Sequence, residues 1–176
     1  MAHLSSAAWI AHDVGLATAI GGTLFGRQAL HPSLREGIHD QQDRDRIADM
    51  AWRRFSWVNL AAHGAMAATW FAGRAMLGGR RVSRLSRPLT LTKDALIVAS
   101  LATGIASVVI GRALGRRVRE QATLQDREKI ETLRRAVGVT GMANLAANVG
   151  ILGVTAALAM KAAKSPTFPL FSRRMP

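Results

Sequence analysis

The residues of this chain that are best suited to chemistry are a histidine and an aspartate, adjacent to each other in an apolar segment. His12 and Asp13 lie in the stretch 2–26, where Asp13 is the only formal charge. An imidazole can bind a metal or move a proton, and a carboxylate in apolar surroundings needs a partner or water. The expected partners, which would complete one polar cluster, are Arg74, Lys93 and Asp94. The alternative is a charge pair that serves structure alone.

Two further polar pairs lie in apolar segments, each with a spacing of four residues. Asn59 is followed by His63, and Asn144 by Asn148. This spacing puts each pair on one face of a helix. We predict that the two pairs face each other and form interhelical hydrogen bonds, each contributing about 1 kcal/mol. The alternative is that these faces line a pathway for ions or protons.

The segments that must position these residues are long and apolar. No formal charge occurs in 19 residues at 55–73, in 17 at 95–111 or in 25 at 136–160. Together with 2–26 they approach or exceed the roughly 20 residues that cross a bilayer as a helix. All five prolines lie outside the four segments, and the segments lack the polar faces of helices in a soluble protein. The sequence therefore predicts an all-α fold, a bundle of four transmembrane helices in the plasma (inner) membrane.

The charge of the chain fits this interpretation. The net charge is +13, and most of the 24 Lys and Arg residues lie between the apolar segments, where basic residues orient a protein in the bilayer and contact lipid headgroups. We therefore expect the lipid bilayer as a partner, and no nucleic acid. The chain has no cysteine, which excludes disulfides, thiolate metal sites and a cysteine nucleophile. We expect no metal site and find no catalytic residue set.

The chain also contains an internal repeat at a displacement of about 85 residues. Residues 16–18 match 101–103, residues 59–62 match 144–147, and the acidic-basic run 43–47 matches 126–130 at a slightly smaller displacement. We predict one unit over 1–164, made of two helical hairpins at 1–79 and 90–164, and a short tail at 165–176. Because each hairpin has two spans, the two hairpins share one orientation and are related by an axis along the membrane normal.

The repeat places the two loops within the hairpins on one side of the membrane. The segments on that side have 14 basic residues and the segments on the other side have ten. This predicts cytoplasmic loops, with the N- and C-termini outside. Segments 41–54 and 116–135 contain no Gly or Pro and are predicted to extend the helices. Their alternating charges predict a solvated, ion-paired face, and the alternative is a docking surface for a cytoplasmic partner.

Two family resemblances follow from these motifs. HDVGLAT at 12–18, GGTLFG at 21–26 and RIADMAWRRF at 46–55 resemble a group of uncharacterised actinobacterial four-span membrane proteins. The layout is also distantly similar to the four-helix membrane protoporphyrinogen oxidase family and its copper-resistance-type relatives. That similarity rests on a first-span histidine with a Gly-Leu-Phe-like turn, basic residues before the second span and a lysine opening the third, which here are His12, 22–25, Arg27, Arg53, Arg54 and Lys93. The resemblance implies that His12 and Lys93 bind haem or a porphyrin.

A haem held between two histidines does not fit the spacing. The other deep histidine is His63, and in the predicted topology it lies roughly 9 Å from the level of His12 along the helix axes. The two axial ligands of one haem must lie near one level, so a haem with one histidine ligand or a porphyrin stays open.

Three functions remain. The first is a non-enzymatic accessory or scaffold subunit with a membrane-protein partner or a second copy of itself. The second is a porphyrin- or haem-binding redox protein that uses His12 and Lys93, and the third is a small ion or proton pathway.

Overall fold

The computed structural model describes residues 2–77, 87–120 and 124–163, and these residues form helices and no strand. Only a short connection at 38–40 and a turn at Glu120 are not helical. The elements are α1 (Ala2–Phe25), a π-helical turn (Gly26–Leu30), α2 (His31–Gly37), α3 (Gln41–Leu77), α4 (Arg87–Arg119) and α5 (Leu124–Ala163). The predicted all-α fold class is confirmed.

The four long helices pack side by side, and each one packs mainly against two of the others. α1 packs against α3, α3 against α4, α4 against α5, and α5 against α1. The centre is apolar, and its buried residues are Leu16, Met66, Ala67, Ile97 and Ile151. Every long helix contributes to this cluster, so burial of one continuous apolar core holds the four helices together.

Two of the four predicted membrane spans have the length and composition to cross a bilayer. They are the helix Arg87–Arg119 and the segment Arg127–Lys161 of α5. The other two predicted spans, in α1 and α3, are helical, but they are not apolar enough to meet the same criterion of length and composition. Their composition gives the reason, because α1 contains His12, Asp13 and many Gly, Ser and Thr residues, and α3 starts with a charged segment and contains Asn59 and His63.

The predicted helical extension at 41–54 is confirmed, and the one at 116–135 is only partly correct. α3 begins at Gln41, where the carboxylate of Asp40 accepts a hydrogen bond of 3.0 Å from the backbone N–H of Asp43 and caps the helix. α4 instead ends at Arg119, and α5 begins at Leu124. Because two adjacent helices joined by a short connection run antiparallel, the chain must reverse direction here, and no continuous helix is compatible with that.

A π-helical turn interrupts the first helix at its end, which the sequence analysis did not predict. The backbone N–H of His31 donates to the carbonyl of Gly26, five residues earlier. The next residue, Pro32, has no N–H, and its ring would clash with the carbonyl four residues before it in a regular α-helix. A widened turn relieves this clash, and the helix continues as α2.

Glycines allow bulky rings of α3 to approach α1 closely. A Cβ on Gly22 would lie 1.8 Å from the Phe55 ring, and one on Gly26 would lie 2.3 Å from the Trp52 ring. Other glycines do not have this role, since a Cβ on Gly111 or Gly153 would meet nothing within 4 Å.

The alternating charges of the two hairpin loops join the hairpins. Arg119 of α4 pairs with Asp49 of α3 at 2.7 Å, and Arg134 of α5 pairs with Asp45 of α3. These pairs are partly exposed, as expected for the solvated, ion-paired face that the alternating charges predicted. The internal repeat itself stays a prediction. The predicted end of its first unit at 79 and the tail at 165–176 lie outside the described residues, whereas the predicted start of its second unit at 90 lies within α4.

Candidate functional site

The first component of the candidate site is His12, which α1 buries against α3. Its side chain is 2% exposed, and its Nδ1 lies 3.0 Å from the carbonyl oxygen of Met66. A carbonyl oxygen only accepts, so Nδ1 bears the proton and donates. In the neutral ring, Nε2 then bears the lone pair, and in the described part of the chain this buried atom has no hydrogen-bond partner. A free acceptor therefore remains in the interior of the protein.

The second component is Lys93, which lies near the start of α4 and is 0% exposed. Its Nζ has no hydrogen-bond partner within 2–77, 87–120 and 124–163, and it lies 4.0 Å from the ring centroid of Trp70 and 5.6 Å from that of Trp9. The faces of aromatic rings attract a cation, most strongly where water is excluded. They accept no conventional hydrogen bond, so the three donors of the amine remain available.

The aromatic rings connect the two components. The centroid of the His12 ring lies 6.0 Å from that of Trp9, edge to face, and 6.3 Å from that of Trp70. The same two indole rings therefore contact both His12 and Lys93. We refer to these four residues as the Lys93 site. It lies where α1, α3 and α4 meet.

The acidic residues predicted to complete the cluster lie elsewhere. Asp94 accepts a hydrogen bond of 2.7 Å from Trp70 Nε1 and pairs through its other oxygen with Arg74. Both carboxylate oxygens of Asp94 therefore bind side chains of α3, and Asp94 does not neutralise Lys93. Asp13 is exposed on the outer side of α1, although it interacts electrostatically with Lys93. The single predicted cluster of five residues is thus wrong in part, because adjacent residues of a helix, such as His12 and Asp13, face different directions.

A second buried polar group joins the predicted pairs on α3 and α5. The Asn144 amide nitrogen lies 3.2 Å from His63 Nε2, and it also donates to Ser100 O at 2.7 Å. His63 Nδ1 lies 2.7 Å from the carbonyl of Asn59, so Nδ1 donates there and Nε2 accepts from the Asn144 amide. Asn148 donates to the Asn144 carboxamide oxygen at 3.0 Å and accepts from the Ser100 hydroxyl at 2.8 Å.

This network is almost saturated. One atom in it, Asn59 Oδ1, is buried without a partner. A cavity of about 10 Å³ adjoins it, lined in part by Asn59, His63 and Gly104. That volume is enough for one water molecule, which would satisfy the free oxygen. The predicted polar faces of α3 and α5 therefore lie against each other, and their donors and acceptors form hydrogen bonds with one another.

Sequence reasoning missed the two tryptophans and the serine that complete these groups. Trp70 lies four residues after Met66, whose carbonyl binds His12, and this helical spacing was the available signal. Nothing in the local sequence of Ser100 distinguishes it from other small polar residues in α4. Among the described residues, no group of three or more His, Cys, Asp or Glu side chains has an arrangement that could hold a metal ion.

The comparisons with known proteins add no assignment. No protein-family model, no curated protein and no solved structure matches this chain. The two family resemblances stated from the sequence stay predictions.

Proposed function

We propose that this chain is an integral membrane protein in which a four-helix bundle crosses the plasma membrane. The support is the apolar outer surface of the helices: Ile10 is 64% exposed, Val109 60% and Val139 69%. The two most apolar helical segments are only 17% and 22% buried inside the protein. Apolar surface of this extent is unfavourable in water and is typical of contact with lipid or with another protein. Carbonate extraction of membranes tests this, because an integral protein stays in the pellet and a peripheral one is released.

We propose further that the bundle binds a lipophilic carboxylic acid at the Lys93 site. One observation supports this most directly: the Lys93 amine and His12 Nε2 are adjacent to the same two indole rings and fully buried, and neither has a hydrogen-bond partner among the described residues. An unpaired charge in a protein interior costs several kcal/mol, so such a group is rarely retained without a function.

The chemistry of the two free groups defines the ligand. An ammonium group donates hydrogen bonds and favours an anion, whereas the imidazole nitrogen accepts a hydrogen bond or binds a metal. A carboxylate satisfies Lys93, and a ligand that has a further hydrogen-bond donor or a metal ion would also satisfy His12. A porphyrin and a fatty acid share this carboxylate on an apolar body. The donor set also fits a haem, with His12 toward the iron and Lys93 toward a carboxylate of the macrocycle.

Access to the site is expected through Trp9. This side chain is 51% exposed and its ring faces Lys93, so it separates the amine from the outer surface of the bundle. Rotation of one indole would open the amine toward the lipid. Trp70 lies deeper and donates to Asp94, so it is expected to stay in place.

The test compares acids with their esters. Purified full-length protein in detergent is titrated with protoporphyrin and its dimethyl ester, and with a brominated fatty acid and its methyl ester, and quenching of tryptophan fluorescence is measured. We expect each acid to bind at least about tenfold more tightly than its ester, since a charge-assisted hydrogen bond is worth about 1.5–3 kcal/mol. Lys93→Met should remove this difference. Equal binding of acid and ester, or an unchanged preference in Lys93→Met, contradicts the proposal.

The two acids distinguish the sources of the carboxylate. Preference for the porphyrin, together with a haemin Soret band that shifts in wild type and not in His12→Ala, supports the porphyrin- or haem-binding redox protein. Preference for the fatty acid assigns the site to an accessory protein that handles a lipid.

The buried Asn144 network favours a structural role over an ion pathway. Its donors and acceptors bind each other, apart from Asn59 Oδ1, and the adjoining cavity of about 10 Å³ has room for no more than a single water. An ion pathway requires polar groups that remain free for the ion. We therefore propose that this network stabilises the packing of α3, α4 and α5, as expected of an accessory subunit. An ion flux in reconstituted vesicles that Asn144→Leu abolishes would contradict this.

A further inference from the structure

The outward face of α1 combines a carboxylate with small residues. Asp13 is exposed, and the exposed positions on the same side include Ile10, Ala17 and Gly21. Asp13 lies 11 residues after Ala2 and 12 before Phe25, so it is about 17 Å from either end of α1 at the helical rise. In the membrane location proposed above, this carboxylate faces outward near the middle of its span.

Among the residues that the structure describes, Asp13 has no counter-ion on the surface. Within the described part of the chain, no residue forms a hydrogen bond or ion pair with its carboxylate. The cation with which it interacts electrostatically, Lys93, is buried on the other side of α1. The large exposed side chains of α4 and α5 include apolar ones, for example Val98 and Val149. A carboxylate that faces lipid is costly, and such residues in membrane proteins pair with another group.

Small residues next to Asp13 would let another helix approach closely. A Cβ on Gly21 meets nothing within 4 Å, and Ala17 lies one turn away on the same exposed side. The spacing of four residues between two small residues is typical of close helix pairs in membranes. Asp13 lies one turn further along this line, so a helix packed here would bury the carboxylate.

We propose that this face of α1, defined by Ile10, Asp13, Ala17 and Gly21, binds a membrane-spanning helix of another protein that has a Lys or Arg at the depth of Asp13. Charge complementarity selects this partner. A second copy bound symmetrically through the same face would bring two Asp13 carboxylates together, and like charges at close range repel. The inference rests on the proposed membrane location and is independent of the Lys93 site.

The experiment uses synthetic helices as probes. The full-length chain, labelled with a dye at Ser33→Cys in the cysteine-free background, is reconstituted in phosphatidylcholine vesicles. Probe peptides of about 23 Leu and Ala residues have one central Lys or, as the control, Leu at that position. Energy transfer measures binding. We expect the Lys probe to bind about tenfold more tightly, and Asp13→Asn to abolish that preference.

Matched glycine variants test the contact surface. Gly21→Leu should weaken binding of the Lys probe, whereas Gly153→Leu, at an equally open position on α5, should not. Equal binding of the two probes, or a Lys preference that survives Asp13→Asn, overturns the proposal. Energy transfer between two labelled copies that depends on Asp13 and prevents probe binding also overturns it, in favour of a second copy. Carbonate extraction of the same variants reports separately on membrane location.

Discussion

Replacing the buried Lys93 with methionine should make the ligand-free protein more stable. Methionine keeps the unbranched stem of lysine and removes the charge. Lys93 is 0% exposed, and its amine has no hydrogen-bond partner. An uncompensated buried charge costs about 3–5 kcal/mol. Contacts with the rings of Trp70 and Trp9 return about 1–2 kcal/mol. The free energy of unfolding should therefore rise by about 1–4 kcal/mol, which corresponds to several degrees in Tm.

The assay is thermal unfolding in detergent, followed by circular dichroism on protein that contains no co-purified small molecule. Lys129→Met is the matched control, because Lys129 is exposed on α5 and its replacement should leave Tm unchanged. The ligand reverses the order of stability, since a saturating acid ligand stabilises wild type by mass action and does not stabilise Lys93→Met.

A lower Tm for ligand-free Lys93→Met would refute this reasoning. That result would mean that the two cation–π contacts and the field of Asp13 more than offset the burial of the amine. Lys93 would then be a structural residue, and the proposed ligand site would lose the observation that supports it most directly.

Two further predictions concern the contacts between α1, α2 and α3. Gly22→Ala should lower stability by about 1–3 kcal/mol, because its Cβ overlaps the Phe55 ring. Gly21→Ala, in open space, should stabilise α1 slightly, and thermal unfolding of the two variants compares them. Burial and two neighbouring arginines lower the pKa of His31, which lies beyond the predicted first span and accepts a hydrogen bond of 3.4 Å from Trp52 Nε1. The contribution of His31 to stability is present above pH 6.5, its ordinary pKa, and is lost as the pH falls below that value. Tm should therefore decrease less between pH 7 and 5 in His31→Gln than in wild type.

The helices could be predicted from the sequence because charge and proline mark where long apolar segments end. The joining of Asn144 to His63 was also predictable, since a spacing of four residues fixes a helix face and a buried amide needs a partner. The π-helical turn at Gly26–Leu30 was not, because it depends on how the chain accommodates Pro32 without ending the helix.

The candidate site could be predicted only in part, because sequence spacing does not show which side of a helix is buried. His12 and Lys93 were selected, and the structure brings them to the same two rings. Asp13 and Asp94 were predicted to join them, but Asp13 is exposed on the outer side of α1, and Asp94 binds Trp70 Nε1 rather than Lys93. Only the packing of α1 and α4 against α3 determines these directions, and periodicity in single segments does not contain that information.

The position of the site within the predicted repeat links its structure to its function. At a displacement of 85 residues Asn59 matches Asn144, and these two residues belong to the buried network that joins α3 to α5. At the same displacement His12 corresponds to Ile97, and Lys93 to Ala8. The network therefore lies where the two hairpins are alike, as expected of contacts that hold both in place. The Lys93 site lies where they differ, so it occurs once among the described residues. A pair of unsatisfied buried groups that packing does not require is better explained by a ligand than by the fold.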